Sequence, residues 1–185
     1  MPVGVRTKLT ALGDVTFRST TIERIKASKQ FQIKGEAIAH ARFTEILYLD
    51  SDNVPVRDPT FLFDAPLYKT HGIVLWPDFV RDSPANPIFR LLGFDCDAEE
   101  FTAETGQILV NREAQGGLNQ AALLAAEAMQ RDSSFWFKLS MGDKDTFRYA
   151  WKFLGLSYAA APHLFSAAGA ATEEYTSRDG QTHTL

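Results

Sequence analysis

The sequence predicts an α/β fold with a largely parallel sheet, and three observations carry that expectation. Apolar runs short enough to be strands recur at Glu45–Leu49, Ile73–Trp76, Ile108–Val110 and Leu156–Ala160. Between them lie segments that begin and end on helix-capping residues. Strands that alternate with helices build βαβ units, whose crossovers set neighbouring strands in one direction. The third observation is bulk, because 185 residues suffice for one domain that buries roughly 70% of its unfolded surface. The fourteen Phe point to a substantial aromatic core.

Taken in order, the elements justify themselves locally. Glu45–Leu49 is a five-residue apolar run that stops abruptly at two carboxylates, as a buried strand ending at a site would. Asp58-Pro59 then offers an N-cap and a proline at the first helical position, ahead of Thr60-Phe61-Leu62-Phe63. Asn86-Pro87 repeats the device before Ile88-Phe89-Arg90-Leu91-Leu92, and Gly93 is placed to end that helix. Leu118–Arg131 is rich in Ala and Leu and carries no breaker, so a continuous helix is expected there. Asp143 or Thr146 caps a further helix through Leu154, with Gly155 as its stop. From Ala167 onward small and polar residues dominate, and the tail is expected to fray.

Composition removes several function classes. With 45% hydrophobic and 23% charged residues the chain has the balance of an ordinary globular protein. A net charge of -4 without a Lys/Arg cluster argues against nucleic acid or an anionic membrane as the main partner. A single cysteine, Cys96, excludes an internal disulfide framework. No window approaches the length of an apolar membrane span, and Met1-Pro2-Val3-Gly4 leads into no signal-peptide core.

The chemistry concentrates in Tyr48-Leu49-Asp50-Ser51-Asp52-Asn53-Val54-Pro55. In an α/β sheet, ligands gather at the carboxyl ends of strands. Asp50 and Asp52 occupy alternate positions there, so both side chains can leave on the same side. Two hard oxygen ligands suit Mg²⁺ or Mn²⁺, which complete their shells with substrate phosphates. The plainer reading is a turn, since Asn53 and Pro55 are turn formers and a lone D-x-D is short. A retaining glycosidase fits less well, because carboxylates one residue apart do not face each other across a substrate.

Two resemblances sharpen the choice. Asp50, Asp52 and Val54 meet the D-x-D-x-[TV] pattern of haloacid-dehalogenase-like phosphotransferases, and Gly142-Asp143-Lys144-Asp145 partly matches their later acidic motif. More of the chain, roughly residues 31 to 162, resembles the fungal Golgi α-mannosyltransferases (glycosyltransferase family 71). The matching blocks are EILYLDSDNVPVRDPTFLFD, GIVLWPDF, ETGQILVNR and GDKDTFRYAWKFLG, in the family's order. That resemblance implies a GT-A-like nucleotide-diphospho-sugar transferase fold with a D-x-D metal site. It implies a GDP-mannose donor, Mn²⁺ (or Mg²⁺) on Asp50 and Asp52, and transfer with retention to a mannan or glycoprotein glycan. It also implies the Golgi membrane or lumen as location, and other mannosyltransferases as partners.

Further site residues follow from the same resemblance. Glu104, Gly106 and Gln107 match an E-S-G-Q block, with Thr105 in place of Ser, expected just ahead of a strand and beside the sugar. Asp145 is expected near the reacting carbon, with Asp143 as its partner and Lys144 between them offsetting their repulsion or meeting a phosphate. Trp76 would stack on a sugar and Asp78 would accept from its hydroxyls, although Trp76 fits a core position equally well. Lys34 matches a family lysine that could neutralise diphosphate. His40 and His71 read as ordinary helix and loop residues, His163 follows Pro162 at a strand end without a ligand-spaced partner, and His183 lies in the tail. The expected organisation is a divergent segment at 1–30, a catalytic core at 31–165 and a tail at 166–185. Only 49 residues precede Asp50, short for a nucleotide-binding module, so the fold is expected to be incomplete at its N-terminus. A catalytically inactive remnant that binds a glycan or a partner transferase is the alternative that this shortness raises.

Overall fold

The computed structural model describes residues 3–20, 22, 31–140, 142–164, 174–176 and 182–184. A helix α1 (Val3–Thr10) buries none of its residues. Helix α2 (Ile33–Ala39) precedes strand β1 (Glu45–Leu49), and a 3₁₀ turn (Pro59–Asp64) and helix α3 (Pro66–His71) lead into β2 (Ile73–Arg81). The short α4 (Ile88–Leu92) lies in the excursion to β3 (Phe101–Asn111). Helices α5 (Leu118–Arg131), α6 (Ser133–Ser140) and α7 (Lys144–Phe153) follow, and then the two-residue β4 (Ala159–Ala160). Asp58 caps the 3₁₀ turn through Thr60 N–H, as its sequence position indicates.

The sheet is mixed rather than largely parallel. Its order is β1-β3-β2-β4; β3 is antiparallel to both neighbours, and only β2 and β4 pair in parallel. The βαβ logic does hold for β1, β2 and β4, which all run the same way. What it misses is β3, which enters between β1 and β2 in the reverse direction. The connection at residues 82–100 carries only the five-residue α4, too little to form a crossover helix. Strand β3 is also much longer than its apolar segment, because Thr102, Thr105 and Gly106 are built into it.

Each sheet face has its own core. On one face Ile46, Ile73, Leu75, Ile108 and Val110 pack beneath α2, α5 and α7, with Leu123, Phe147 and Trp151 fully buried. On the other, Val74 and Leu109 meet Tyr68 of α3 together with Leu47, Leu62 and Trp76. A third cluster docks the 82–100 excursion, through Ile88 and Phe89, onto Met129 of α5 and Tyr149 of α7. Gly35 lets α2 lie directly on α5, since a Cβ there would sit 2.9 Å from Glu127 Cα. In the tail, Glu174–Thr176 and Thr182–Thr184 pair as an antiparallel ribbon. The rest of the 166–185 segment, and the His183 side chain, lie outside the described residues. Among the described residues no helix is long and apolar enough to cross a membrane.

Candidate active site

The site forms where β1 ends against a bulge in β3. Leu75 pairs with Ile108, but the next residue, Trp76, pairs with Glu104, so β2 leaves residues 105–107 unopposed. Strand β1 continues past that point: Leu49 pairs with Gln107, and Asp50 N–H donates to the Gly106 carbonyl at 2.7 Å. The Glu104-Thr105-Gly106-Gln107 block therefore lies within a strand, at a bulge, rather than ahead of one. Trp76-Pro77-Asp78-Phe79 is likewise inside β2, where irregular pairing tolerates a proline that has no N–H to give.

Beyond Leu49 the chain turns. Asn53 N–H donates to the Asp50 carbonyl at 3.0 Å, and the Asn53 side chain donates to the Gly106 carbonyl at 2.7 Å. Because residues 50–53 form a turn, the alternation of an extended strand does not set the directions of Asp50 and Asp52. Asp50 is held by its neighbours: Tyr48 hydroxyl donates to Oδ1 at 2.5 Å and Lys34 Nζ lies 3.3 Å from Oδ2. Burial, and then the bond to Asp50, push the Tyr48 hydroxyl far above its ordinary pKa, so it stays a donor. Asp52 is exposed and has no hydrogen-bond or ion-pair partner among the described residues.

Asp52 opens onto a cleft of about 850 Å³ on the α3 face of the sheet. Leu47, Leu49 and Trp76 line it, with Phe61 and Leu62 from the 3₁₀ turn. Its polar groups are Asp52, Asn53, Glu104, Gln107 and Arg57. The Arg57 guanidinium stacks 4.1 Å over the Phe61 ring, a charged and planar wall of the kind that also recognises phosphate. Gly106 N–H bonds the Glu104 carboxylate and fixes its direction. The sequence reading gives Arg57 and Tyr48 no role and Asn53 only that of a turn former, although all three stand in or beside the D-x-D stretch. Arginine after a turn-forming proline was the available sign.

The remaining expected residues gather on the helix-covered face instead. Lys34 Nζ lies 3.0 Å from Asp143 Oδ2, which ties α2 to the start of α7. Lys144 pairs with Asp78 and reaches Thr102 Oγ1 at 3.4 Å. Burial opposes ionisation of Asp78, but the Lys144 hydrogen bond and the Phe79 amide outweigh it and hold the carboxyl below its ordinary value. Asp145 is 2% exposed and accepts from Ala103 N–H at 3.1 Å and from Arg148 Nε at 3.0 Å. Neither Asp143 nor Asp145 lines the cleft. His40 pairs with Glu127 at 2.8 Å, and His71 bonds Ser157 at 3.2 Å.

Asp50 and Asp52 suit a divalent ion that takes the rest of its shell from substrate and water. Both are hard oxygen donors, Asp50 is 31% exposed and Asp52 is open. Among the described residues no group of three or more His, Cys, Asp or Glu gathers to cage an ion.

Comparison with known proteins finds similar sequences. Residues 11–93 match the family described as "Mannosyltransferase putative". The span includes Lys34, the D-x-D turn, Arg57, Phe61, Trp76 and Asp78. In an alignment 166 positions long that covers 69% of the chain, it is 28% identical to α-1,2-mannosyltransferase MNN24 of Candida albicans. The chain is similar to fungal α-1,2-mannosyltransferases. It is 46% identical over 48 residues to α-1,2-mannosyltransferase MNN2 of Candida albicans, and 31% over 80 residues to the MNN2 enzyme of Saccharomyces cerevisiae. Those stretches cover 26% and 43% of this chain. The chain spans 23%, 8% and 13% of the lengths of the three relatives, less than a quarter of each.

Proposed function

We propose that this chain carries the donor-binding edge of an α-mannosyltransferase. In this reading mannose moves from GDP-mannose to a mannan or glycoprotein glycan, with retention of configuration, in the Golgi lumen. The observation that carries the proposal is one cleft in which the D-x-D turn meets Trp76, Glu104 and Gln107, in a chain related to mannosyltransferases. Asp50 and Asp52 would hold Mn²⁺ or Mg²⁺, which as a Lewis acid supplies charge neutralisation to the departing diphosphate. Trp76 offers an aromatic face to a sugar ring, and Glu104 and Gln107 reach its hydroxyls. The Glu104 carboxylate, held by Gly106 N–H, is also aimed to stabilise positive charge developing at the anomeric carbon. Asn53 ties the turn to the bulge, so the metal-binding carboxylates and the sugar-facing residues keep a fixed relation. In a retaining transfer the leaving phosphate can accept the acceptor's proton, so the site requires no strong protein base.

The test is a calorimetric titration of GDP-mannose with and without Mn²⁺, on the parent chain and on Asp52→Ala. Binding should need the metal and should weaken at least about tenfold in the variant. Metal-independent binding, or an unchanged affinity in Asp52→Ala, would overturn the reading.

A further inference from the structure

Lys34 stands where two carboxylates meet. Its ammonium lies 3.0 Å from Asp143 Oδ2 and 3.3 Å from Asp50 Oδ2, and donates to the Thr105 carbonyl at 2.8 Å. Thr105 Oγ1 is a further acceptor at 3.3 Å. An ammonium has three N–H donors, and these oxygens account for all of them. The side chain is only 7% exposed, and the Tyr48 ring lies 5.5 Å from Nζ. Nothing is left over for a phosphate, and there is little room to reach one. The oxygens belong to three separate elements: the end of β1, the bulge of β3 and the start of α7.

We propose that Lys34 is a positioning residue, the internal cation that holds Asp50 beside Asp143, and that it does not ligate the donor diphosphate. Its charge lets two carboxylates approach one point, and its bonds fix the Asp50 carboxylate that faces the turn. The donor-binding part of this inference rests on the function proposed above, whereas the coupling between Lys34 and Asp143 does not.

A double-mutant cycle separates the two. Lys34→Met leaves Asp50 and Asp143 as neighbouring carboxylates without their shared cation and should lower Tm by on the order of 10 °C. Asp143→Asn leaves the ammonium paired with Asp50 and should cost less. In the double variant one stranded charge is gone, so about half or more of the Lys34→Met loss should return. Additive losses would overturn the proposal. Should Lys34→Met fail to fold, folding of the double variant is the same rescue, and failure of both overturns it.

The second readout is calorimetric titration of GDP in Mn²⁺. Affinity should fall in Lys34→Met and return to within about fivefold of the parent in the double variant, where the aspartate arrangement is relieved. A double variant still weaker than that would mean that Lys34 meets the phosphates, against the proposal. If the parent itself binds no GDP, the donor reading fails and the thermal cycle alone decides the role of Lys34.

Discussion

Arg148 shows what a single residue can organise. It is 3% exposed, yet its guanidinium meets Asp145 at 3.0 Å, Glu100 at 2.9 Å and Asp82, each from a different part of the chain. Removing it by Arg148→Met would leave Asp82 and Asp145 without a counter-charge, while Glu100 keeps Lys152, and should cost about 3–5 kcal/mol, measurable by urea unfolding. Asp145 itself carries a pH signature. Burial pushes its carboxyl up to about 6, and Arg148 and the Ala103 amide only partly offset that. In the unfolded chain an aspartate titrates near ~3.9, so between those values the folded state holds the extra proton. The sign follows from proton linkage: this contribution to stability is fully present below about pH 4 and is lost as pH rises through about 6. Relative to Asp145→Asn, the parent should therefore lose on the order of 3 kcal/mol between the two limits. Equal pH slopes for the two proteins in urea unfolding would refute the assignment.

Among elements, the bulged β3 strand decides the site. The sequence makes its second half legible, since Ile108-Leu109-Val110 is a plain apolar run. The first half is hidden, because Thr102, Glu104, Thr105 and Gly106 read as a polar turn. They are strand residues because Thr105 and Gly106 spend their polar groups on Lys34, Asp50 and Asn53, contacts made only after folding. Sheet direction was hidden for a similar reason: it depends on how residues 82–100 return, not on any local pattern. By contrast α5 and the Asp58 cap depend on neighbours in sequence, and both stand where the sequence puts them. Gly106 is the most sensitive point of the bulge. A Cβ there would lie 2.6 Å from Glu104 Oε1 and 2.9 Å from Asn53 Nδ2. Gly106→Val must displace both side chains, at a cost of about 1–3 kcal/mol. On the proposed function it should also reduce Mn²⁺-dependent GDP-mannose affinity at least about tenfold, because it separates the turn from the Glu104 carboxylate. An unchanged affinity, read by calorimetry, would show that the bulge does not shape the donor site.

At the scale of the whole molecule, the sheet divides the residues that the sequence brought together. Asp52, Trp76, Glu104 and Gln107 belong to the α3 face, while Lys34, Asp143 and Asp145 belong to the face under α5 and α7. Spacing along a chain cannot reveal which face a residue after a bulge or turn will take, so the motifs were legible and their partition was not. The D-x-D turn joins the two sides: Asp50 is anchored beneath the helices and Asp52 opens to the cleft. A ligand bridging these aspartates would thus bind only the folded arrangement and stabilise it by mass action. With Mn²⁺ present and GDP-mannose at 100 times its dissociation constant, that amounts to about 2.7 kcal/mol. For a domain of this size the corresponding rise in Tm is roughly 5–10 °C. A chelator should abolish the rise in the parent without changing its unliganded Tm. Asp52→Ala should share the parent's unliganded Tm, because the exposed carboxylate has no partner to lose, and should show no ligand-dependent rise. A rise that survives the chelator, or that Asp52→Ala retains, would mean that the donor is held by something other than a metal at this turn.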